Sequence, residues 1–441
     1  MNASAGQRLL ILSSKLGYQT RSFAAAARRL GIEVALGTDR CHQLDDPWGD
    51  RAIALAFERP DDAATEIVAH AAETPFHGII ALGDRPVPTA ARAARLLGIR
   101  YNSVESAENC RSKLRQREVL SAAGLPVPAF FSFALGESMD AAAARPKFPC
   151  VLKPLRLAAS QGVIRANDQL EFGAAAGRIR ALLESPEVRV AREPELDRVL
   201  VEEYVPGAEV AMECLLEGGR LHVLAIFDKP DPLTGPYFEE TIYVTPSRLA
   251  RDAQAALVAC AERSVRALGL SEGPLHAEFR WNERGPWVLE LAPRPIGGLC
   301  AKALRFTTSV HRERFGGDAM PLEELLVRHA LGLPGTDVER ESEASGVMMI
   351  PVPQTGILES VGGEDAARAV PGVVETEITA RIKDRVTAWP EGSSYLGFIF
   401  ARAGEPEIAE AALREAHSRL RFVIRPELPV EHPLASSARN V

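Results

Sequence analysis

The stretch HAEFRWNERGPWVLELA, residues 276–292, constrains this chain more than any other. Two alternating runs flank a polar turn, which predicts an antiparallel hairpin over 275–292. With the loop centred on Arg284, Trp281 pairs with Trp287, Phe279 with Leu289 and Glu278 with Glu290. One face then carries Ala277, Phe279, Trp281, Trp287, Leu289 and Leu291, and belongs in a core. The other carries His276, Glu278, Arg280, Val288, Glu290 and Ala292. Two carboxylates set opposite each other at about 5 Å repel unless something cationic lies between them. A hard divalent cation such as Mg²⁺, shared with phosphate oxygens, meets that need. A solvated polar face with Arg280 compensating meets it too.

The 441 residues exceed one ordinary core, and 46% apolar with 25% charged residues excludes wholesale disorder. A net charge of −8 argues against general nucleic-acid binding. The six cysteines, Cys41, Cys110, Cys150, Cys214, Cys260 and Cys300, form no CxxC and suit buried thiols in a reducing compartment. The N-terminal apolar run Leu9 to Leu12 is too short for a secretion signal, and no run is long enough to span a membrane. A cytoplasmic protein is expected.

Residues 8–101 alternate short apolar runs with helical periodicity: strands at 8–13, 32–38, 53–57 and 78–84, helices at 19–30, near 62–73 and up to Gly98. That order predicts a parallel, doubly wound sheet. The turn after the first strand reads SSKLGYQ without GxGxxG, against a dinucleotide-dependent enzyme. A basic helix over 108–124 precedes a smaller unit with strands at 148–153, 162–165 and 198–205, then a hairpin over 208–229 around Gly218-Gly219. A polar, turn-rich stretch at 334–346 reads as a linker, and 347–425 as a last α/β unit before an irregular tail, 426–441.

Three further features carry chemistry. Lys113 and Arg117 lie four apart on one helix, a like-charge pair that an anion would relieve. Lys153 ends the run FPCVLKP and is followed by AASQGV, a small-residue turn suited to a phosphate; a surface lysine is the bland alternative. In VLVEEYVPGAEV, an apolar strand ends in Glu202-Glu203 before Pro206-Gly207, either a solvated strand end or a hinge. No Walker pattern is present.

In this order the features resemble the ATP-grasp superfamily, particularly its carboxylate–amine ligases, over nearly the whole chain. The resemblance implies an α/β fold of four parts. These are a doubly wound pre-ATP-grasp domain (1–107), a basic helix with a small α+β lid (108–205), a main ATP-binding α+β domain (206–340) and a C-terminal α/β subdomain with tail (341–441). It implies phosphate contacts for Lys113 and Lys153, a loop at Ser160-Gln161-Gly162 closing over the phosphates, and adenine contacts from Glu202, Glu203, Tyr204 and Val205. Glu209 falls where the ribose hydroxyls bind, Glu278 and Glu290 where Mg²⁺ is held, and Arg294 where the transferred phosphoryl group is stabilised.

Within the superfamily the chain looks most like the L-amino-acid ligases, the dipeptide-forming enzymes. PVPQTGILESVGG and PEGSSYLGFIFARA are similar to their C-terminal domain. Ala292 replaces the asparagine that most ATP-grasp enzymes carry, a loss the dipeptide ligases share. Within FDKPDPLTGPYFEETIYVTPS, Glu240 stands where family members meet a substrate amino group, and Tyr243 where some have histidine; Gly297-Gly298 replace bulkier residues. The resemblance therefore implies ATP, Mg²⁺ (one or two ions, or Mn²⁺ in its place) and small-molecule carboxylate and amine substrates. It implies no nucleic acid and no membrane, and a homodimer is the default expectation. An acyl phosphate forms with release of ADP, and positioning and charge stabilisation do the catalysis. The rivals are a bicarbonate-using carboxylase of the same superfamily and a non-catalytic ATP-binding protein.

Overall fold

The computed structural model describes residues 6–14, 17–39, 52–307, 319–334 and 338–427. Cys41 and most of the expected tail lie outside them, and the five described cysteines are buried and unpaired. None of the described helices is long and apolar enough to cross a membrane.

Near the N-terminus, β1 (Arg8–Ser13), β2 (Glu33–Thr38), β3 (Ala52–Ala54) and β4 (Gly78–Leu82) form a parallel sheet in the order β3-β2-β1-β4. Alternation along β1 decides what each face meets. Leu10 and Leu12 pack with the helices Pro60–Glu73 and Val87–Leu97, whereas Leu9 and Ile11 pack with Tyr18–Arg29 and the rest of the molecule. Successive connections from β1 leave on opposite sides, so the strand order reverses between β1 and β4. A crevice opens at the carboxyl ends of strands at such a point.

The expected basic helix is two. Val104–Arg111 and Lys113–Ala122 meet at Ser112, whose φ of −105° and ψ of 121° are extended. The ladder breaks because the Lys113 N–H donates to the Leu155 carbonyl, 3.3 Å away. Beyond it lies an antiparallel lid sheet of order β5-β8-β6-β7. Its strands are β5 (Phe130–Ala134), β6 (Cys150–Pro154), β7 (Ile164–Ala166) and β8 (Arg198–Glu203), and the helix Gln169–Glu184 packs on it.

The largest sheet has eight antiparallel strands. It is built from β9 (Ala208–Glu217), β10 (Arg220–Lys229), β11 (Ile242–Thr245), β12 (Gly273–Asn282) and β13 (Gly285–Ala292). Two short strands, β14 (Arg305–Thr307) and β15 (Met320–Pro321), make a small sheet with β16 (Glu339–Arg340). Then β17 (Ala344–Ile350) pairs with β11, and β19 (Val373–Ile378) and β21 (Gly397–Ala403) extend the large sheet to β13-β12-β9-β10-β11-β17-β21-β19. A last sheet joins β18 (Gly356–Gly362), β20 (Arg385–Val386) and β22 (Arg421–Pro426).

Two expectations fail here. The stretch 334–346 is no linker in its described residues: Glu339–Arg340 pairs with β14, and β17 starts at Ala344 with its first residues buried. The strand before the expected 340/341 boundary, β16, pairs with β14, and the strand after it, β17, pairs with β11. The second failure is in the hairpin. Its turn is tighter than expected, with Asn282 opposite Gly285, and a bulge between Glu278 and Phe279 absorbs the difference. Glu278 still opposes Glu290, but Phe279 opposes Val288 and Trp281 opposes Pro286. Val288 takes the core position expected for Leu289, and Leu289 turns to a cleft.

Candidate active site

One cleft of about 730 Å³ lies between the lid sheet, the large sheet and the switch point of the N-terminal sheet. Every expected site residue lines it except Gly162. Gly162 supports the loop from behind: its φ is +73°, and a Cβ there would meet Pro154 Cγ at 2.7 Å. Ala159 and Ser160 also have positive φ, 56° and 54°, which costs on the order of 1–3 kcal/mol each. The amides of Ala159 and Ser160 find no acceptor among the described residues, so this loop offers N–H groups to an anion.

The basic residues are not free cations. Lys113 Nζ lies 3.2 Å from Glu290 Oε1 and donates to the Leu157 carbonyl at 2.9 Å. Arg117 pairs with Glu202 at 2.5 Å and with the Leu289 carbonyl, and Lys153 pairs with Glu202 at 2.6 Å. The like-charge pair on the helix is thus relieved by protein carboxylates, and an anion is not required to explain it. Lys153 is not a bland surface lysine, nor is Glu202 a solvated strand end. Burial pushes the Glu202 carboxyl up, but Arg117 and Lys153 outweigh it and hold it at about 2. Glu203 is exposed, and Arg165 and Arg280 stack on the Tyr204 ring at 4.1 and 5.1 Å. Arg280 also donates to the Val205 carbonyl at 2.7 Å.

Cross-strand register builds the acidic side. A bulge between Val223 and Ala225 places Lys229 opposite Glu209, and Arg280 on β12 opposes Glu209 from the other side. Glu209 therefore sits between Lys229 at 2.9 Å and Arg280 at 3.1 Å. The same buried Lys229 Nζ reaches Glu240 at 2.5 Å and Glu278 at 3.1 Å. Oxygens of Glu209, Glu240 and Glu278 lie within 4.8 Å of one another, a set of hard donors whose shared counter-ion in this structure is the ammonium of Lys229.

Glu240 is the least neutralised of the three: among the described residues its partners are that shared lysine and the Tyr243 hydroxyl at 2.7 Å. Burial raises its carboxyl, Lys229 pulls it down and Glu278 and Glu209 push it up, which leaves it at about 7. Glu278 behaves oppositely. Burial would raise it, but Lys229 and His276 hold it well below the usual carboxylate range. His276 bridges Glu213 at 2.5 Å and Glu278 at 3.2 Å; burial opposes its charge, yet the two glutamates push the imidazole up to about 9. Gly297 and Gly298 differ in role. A Cβ at Gly297 meets nothing within 4 Å, whereas one at Gly298, where φ is +63°, meets the Phe398 ring at 3.0 Å.

The sequence reading gave no site role to three residues that the cleft uses. Asp84, at the carboxyl end of β4, grips Arg294 at 3.0 and 3.4 Å; burial opposes its charge, but Arg294, Arg111 and Lys113 keep its carboxyl below the usual range. The switch point between β1 and β4 was the signal for it. Lys229 shares a strand face with Ala225 and Phe227, which alternation could have flagged as inward. His276 shares the carboxylate face of the hairpin in sequence, but its pairing with Glu213 comes from β9, opposite it.

A small lid sheet and a large antiparallel sheet gripping one charged cleft, with a parallel domain in front, define the ATP-grasp fold. Family models agree: the ATP-grasp N-terminal domain matches residues 24–99, the ATP-grasp domain 146–303, and the L-amino acid ligase C-terminal domain 2 residues 348–425. The L-amino acid ligase of Bacillus licheniformis superposes with a TM-score of 0.79 at 26% identity, covering 95% of this chain and 99% of that one. Alanine–anticapsin ligase of Bacillus subtilis (strain 168) is 28% identical over 295 residues, 63% of this chain and 62% of that ligase. An uncharacterised protein of Sinorhizobium fredii is 26% identical over 431 residues, 95% of this chain and 84% of its own length. The chain belongs to the ATP-grasp superfamily, and it is an ATP-grasp ligase close to the L-amino acid ligases.

Proposed function

We propose that this protein joins the carboxylate of an L-amino acid to the amine of a second amino acid at the expense of ATP. The carboxylate oxygen attacks the γ-phosphorus, the bond to the bridging oxygen breaks, and ADP leaves with its electron pair. The amine nitrogen then attacks the acyl-phosphate carbon and expels inorganic phosphate, losing a proton as the amide forms. The observation that carries this reading is the convergence on one cleft of Lys113, Lys153 and Arg294 with the paired carboxylates Glu278 and Glu290. The cations and the amides of Ala159 and Ser160 would receive the phosphates, and Glu202 to Val205 would border the adenine. Arg294, aimed by Asp84, would meet the charge that develops on the moving phosphoryl group.

Glu278 and Glu290 offer hard oxygen donors on one side of the cleft, which fits Mg²⁺ or Mn²⁺. The metal would neutralise phosphate charge. Buried Ala292 adds no donor, so a second ion would rest on phosphates and the remaining carboxylate. Glu240, short of counter-charge, is the group for a substrate ammonium, with Tyr243 orienting it.

A phosphate-release screen of amino-acid pairs with ATP and Mg²⁺, followed by mass analysis, tests the proposal. A dipeptide with equimolar ADP is expected. AMP with pyrophosphate sinks the acyl-phosphate route, and bicarbonate-dependent hydrolysis without amide points to a carboxylase.

A further inference from the structure

The phosphate loop is held by a part of the chain that lies outside the matched ATP-grasp domain. The Gly162 N–H donates to the Pro390 carbonyl at 2.7 Å, and Gln161 Nε2 donates to the Glu391 carbonyl at 2.7 Å. Trp389 Nε1 donates to the Ala159 carbonyl at 3.1 Å. The Glu391 carboxylate takes both a 2.8 Å Nε and a 2.8 Å Nη bond from Arg178, on the lid helix. Ala159, Gln161 and Gly162 are therefore fixed by one short segment, and two of them, Ala159 and Gly162, have positive φ. That segment continues into the cleft: Ser393, Ser394 and Tyr395 line it, and the Trp389 and Tyr395 rings lie 4.9 Å apart. It is itself anchored, by Ala388 N–H on Thr355 Oγ1 at 3.0 Å and Leu396 N–H on the Ile350 carbonyl at 2.9 Å.

We propose that residues 389–395 form a strap through which the C-terminal region positions the phosphate loop, with Trp389 and Glu391 as positioning residues. This rests on the reading that nucleotide phosphates occupy the cleft. The loop amides of Ala159 and Ser160 are shaped for phosphate only while the strap holds their neighbours. The strap's other end lies at the cleft wall, so the same segment ties loop geometry to the cleft that Glu240 also lines. A loosened loop admits water to the acyl phosphate and uncouples ATP cleavage from amide formation.

The test uses Trp389→Phe, which keeps the ring and loses the indole N–H, and Arg178→Ala, on an exposed lid position. Binding of a non-hydrolysable Mg²⁺–ATP analogue is compared with binding of adenosine, which lacks phosphates. Each variant should bind the analogue about fivefold to tenfold more weakly, and adenosine as the parent does. Thermal melts establish that both variants are folded. In turnover, ADP release should outrun amide formation in the variants and match it in the parent. Unchanged analogue binding, equal weakening for both probes, or equimolar ADP and amide in both variants overturns the strap. A parent protein that binds the analogue no better than adenosine overturns the nucleotide reading itself, and the strap with it.

Discussion

Glu278 and Glu290 stand directly opposite each other on β12 and β13, yet each carboxylate is held by cations from a different part of the chain. Glu278 is held by Lys229 of β10 and by His276 two residues back, Glu290 by Lys113 at the start of a helix. The like-charge contact therefore persists in the free protein only because three local cations surround it. On the proposed reading, phosphates and metal would rearrange these pairs.

Glu290→Gln should remove most Mg²⁺-dependent turnover. Its effect on the stability of the free protein should be small, because two terms oppose. Relief of the cross-strand repulsion gains about 0.2–1 kcal/mol. Loss of the part-exposed Lys113 pair costs about as much. Melts of parent and variant should thus agree without ligand and diverge when Mg²⁺ and ATP are added. Equal ligand-induced stabilisation in the two proteins would falsify the metal role.

Glu202 gives a pH signature. Its side chain is 2% exposed between Arg117 and Lys153, and its carboxyl sits at about 2 against an ordinary 4.5. The folded value lies below the unfolded one, so the stabilisation is fully present above about pH 4.5 and is lost as pH falls towards 2. The amount is on the order of 3 kcal/mol. Glu202→Gln should cost about 3–5 kcal/mol at neutral pH, since it strands a buried guanidinium. It should also flatten the acid limb of stability between pH 2 and 4.5. Denaturant melts across that range decide, and an unchanged slope would show that the pair carries no such linkage.

What could be read from sequence was what alternation and turn chemistry dictate locally. The four N-terminal strands, the Gly218-Gly219 hairpin and the Glu278–Glu290 opposition all follow from short-range pattern. Both bulges escaped, because an extra residue changes no composition. Yet one of them turns Leu289 to the cleft, and the other brings Lys229 rather than Asp228 opposite Glu209. Asp84 and Arg294 are 210 residues apart, so their pairing depended on how the N-terminal sheet docks, which no local signal encodes. The same holds for β17, read as part linker, whose place in the large sheet is set by pairing with β11.

Lys153→Ala separates a phosphate contact from a structural one. Glu202 would keep Arg117, so the fold should survive with a loss of about 1–3 kcal/mol. Affinity for Mg²⁺–ATP should fall, while adenosine binding should change little. Parent-like ATP affinity and ADP release in the variant would leave Lys153 as a partner of Glu202 and nothing more.

The Glu240 carboxylate shares the Lys229 ammonium with Glu209 and Glu278, and among the described residues its other partner is the Tyr243 hydroxyl. It is therefore the member of the trio with most to gain from an incoming ammonium. Glu240→Gln should raise KM for the amino-acid substrate far more than KM for ATP, because a charge-assisted bond is lost at one subsite only. The parent should show a matching pH dependence in the nucleotide-free protein. With the carboxyl at about 7, Glu240 is protonated below that pH and ionised above it. Substrate binding should then weaken by about tenfold per unit as pH drops below the midpoint, and the Gln variant should show no such limb. Removing the carboxylate also relieves its repulsion with Glu209 and Glu278, so the variant should be at least as stable as the parent above pH 7. Calorimetric titration of substrate into both proteins at pH 6 and 8 checks the first claim, and melts at pH 8 check the second. A KM rise equal for both substrates, or a pH limb retained in Glu240→Gln, would remove Glu240 from the ammonium subsite.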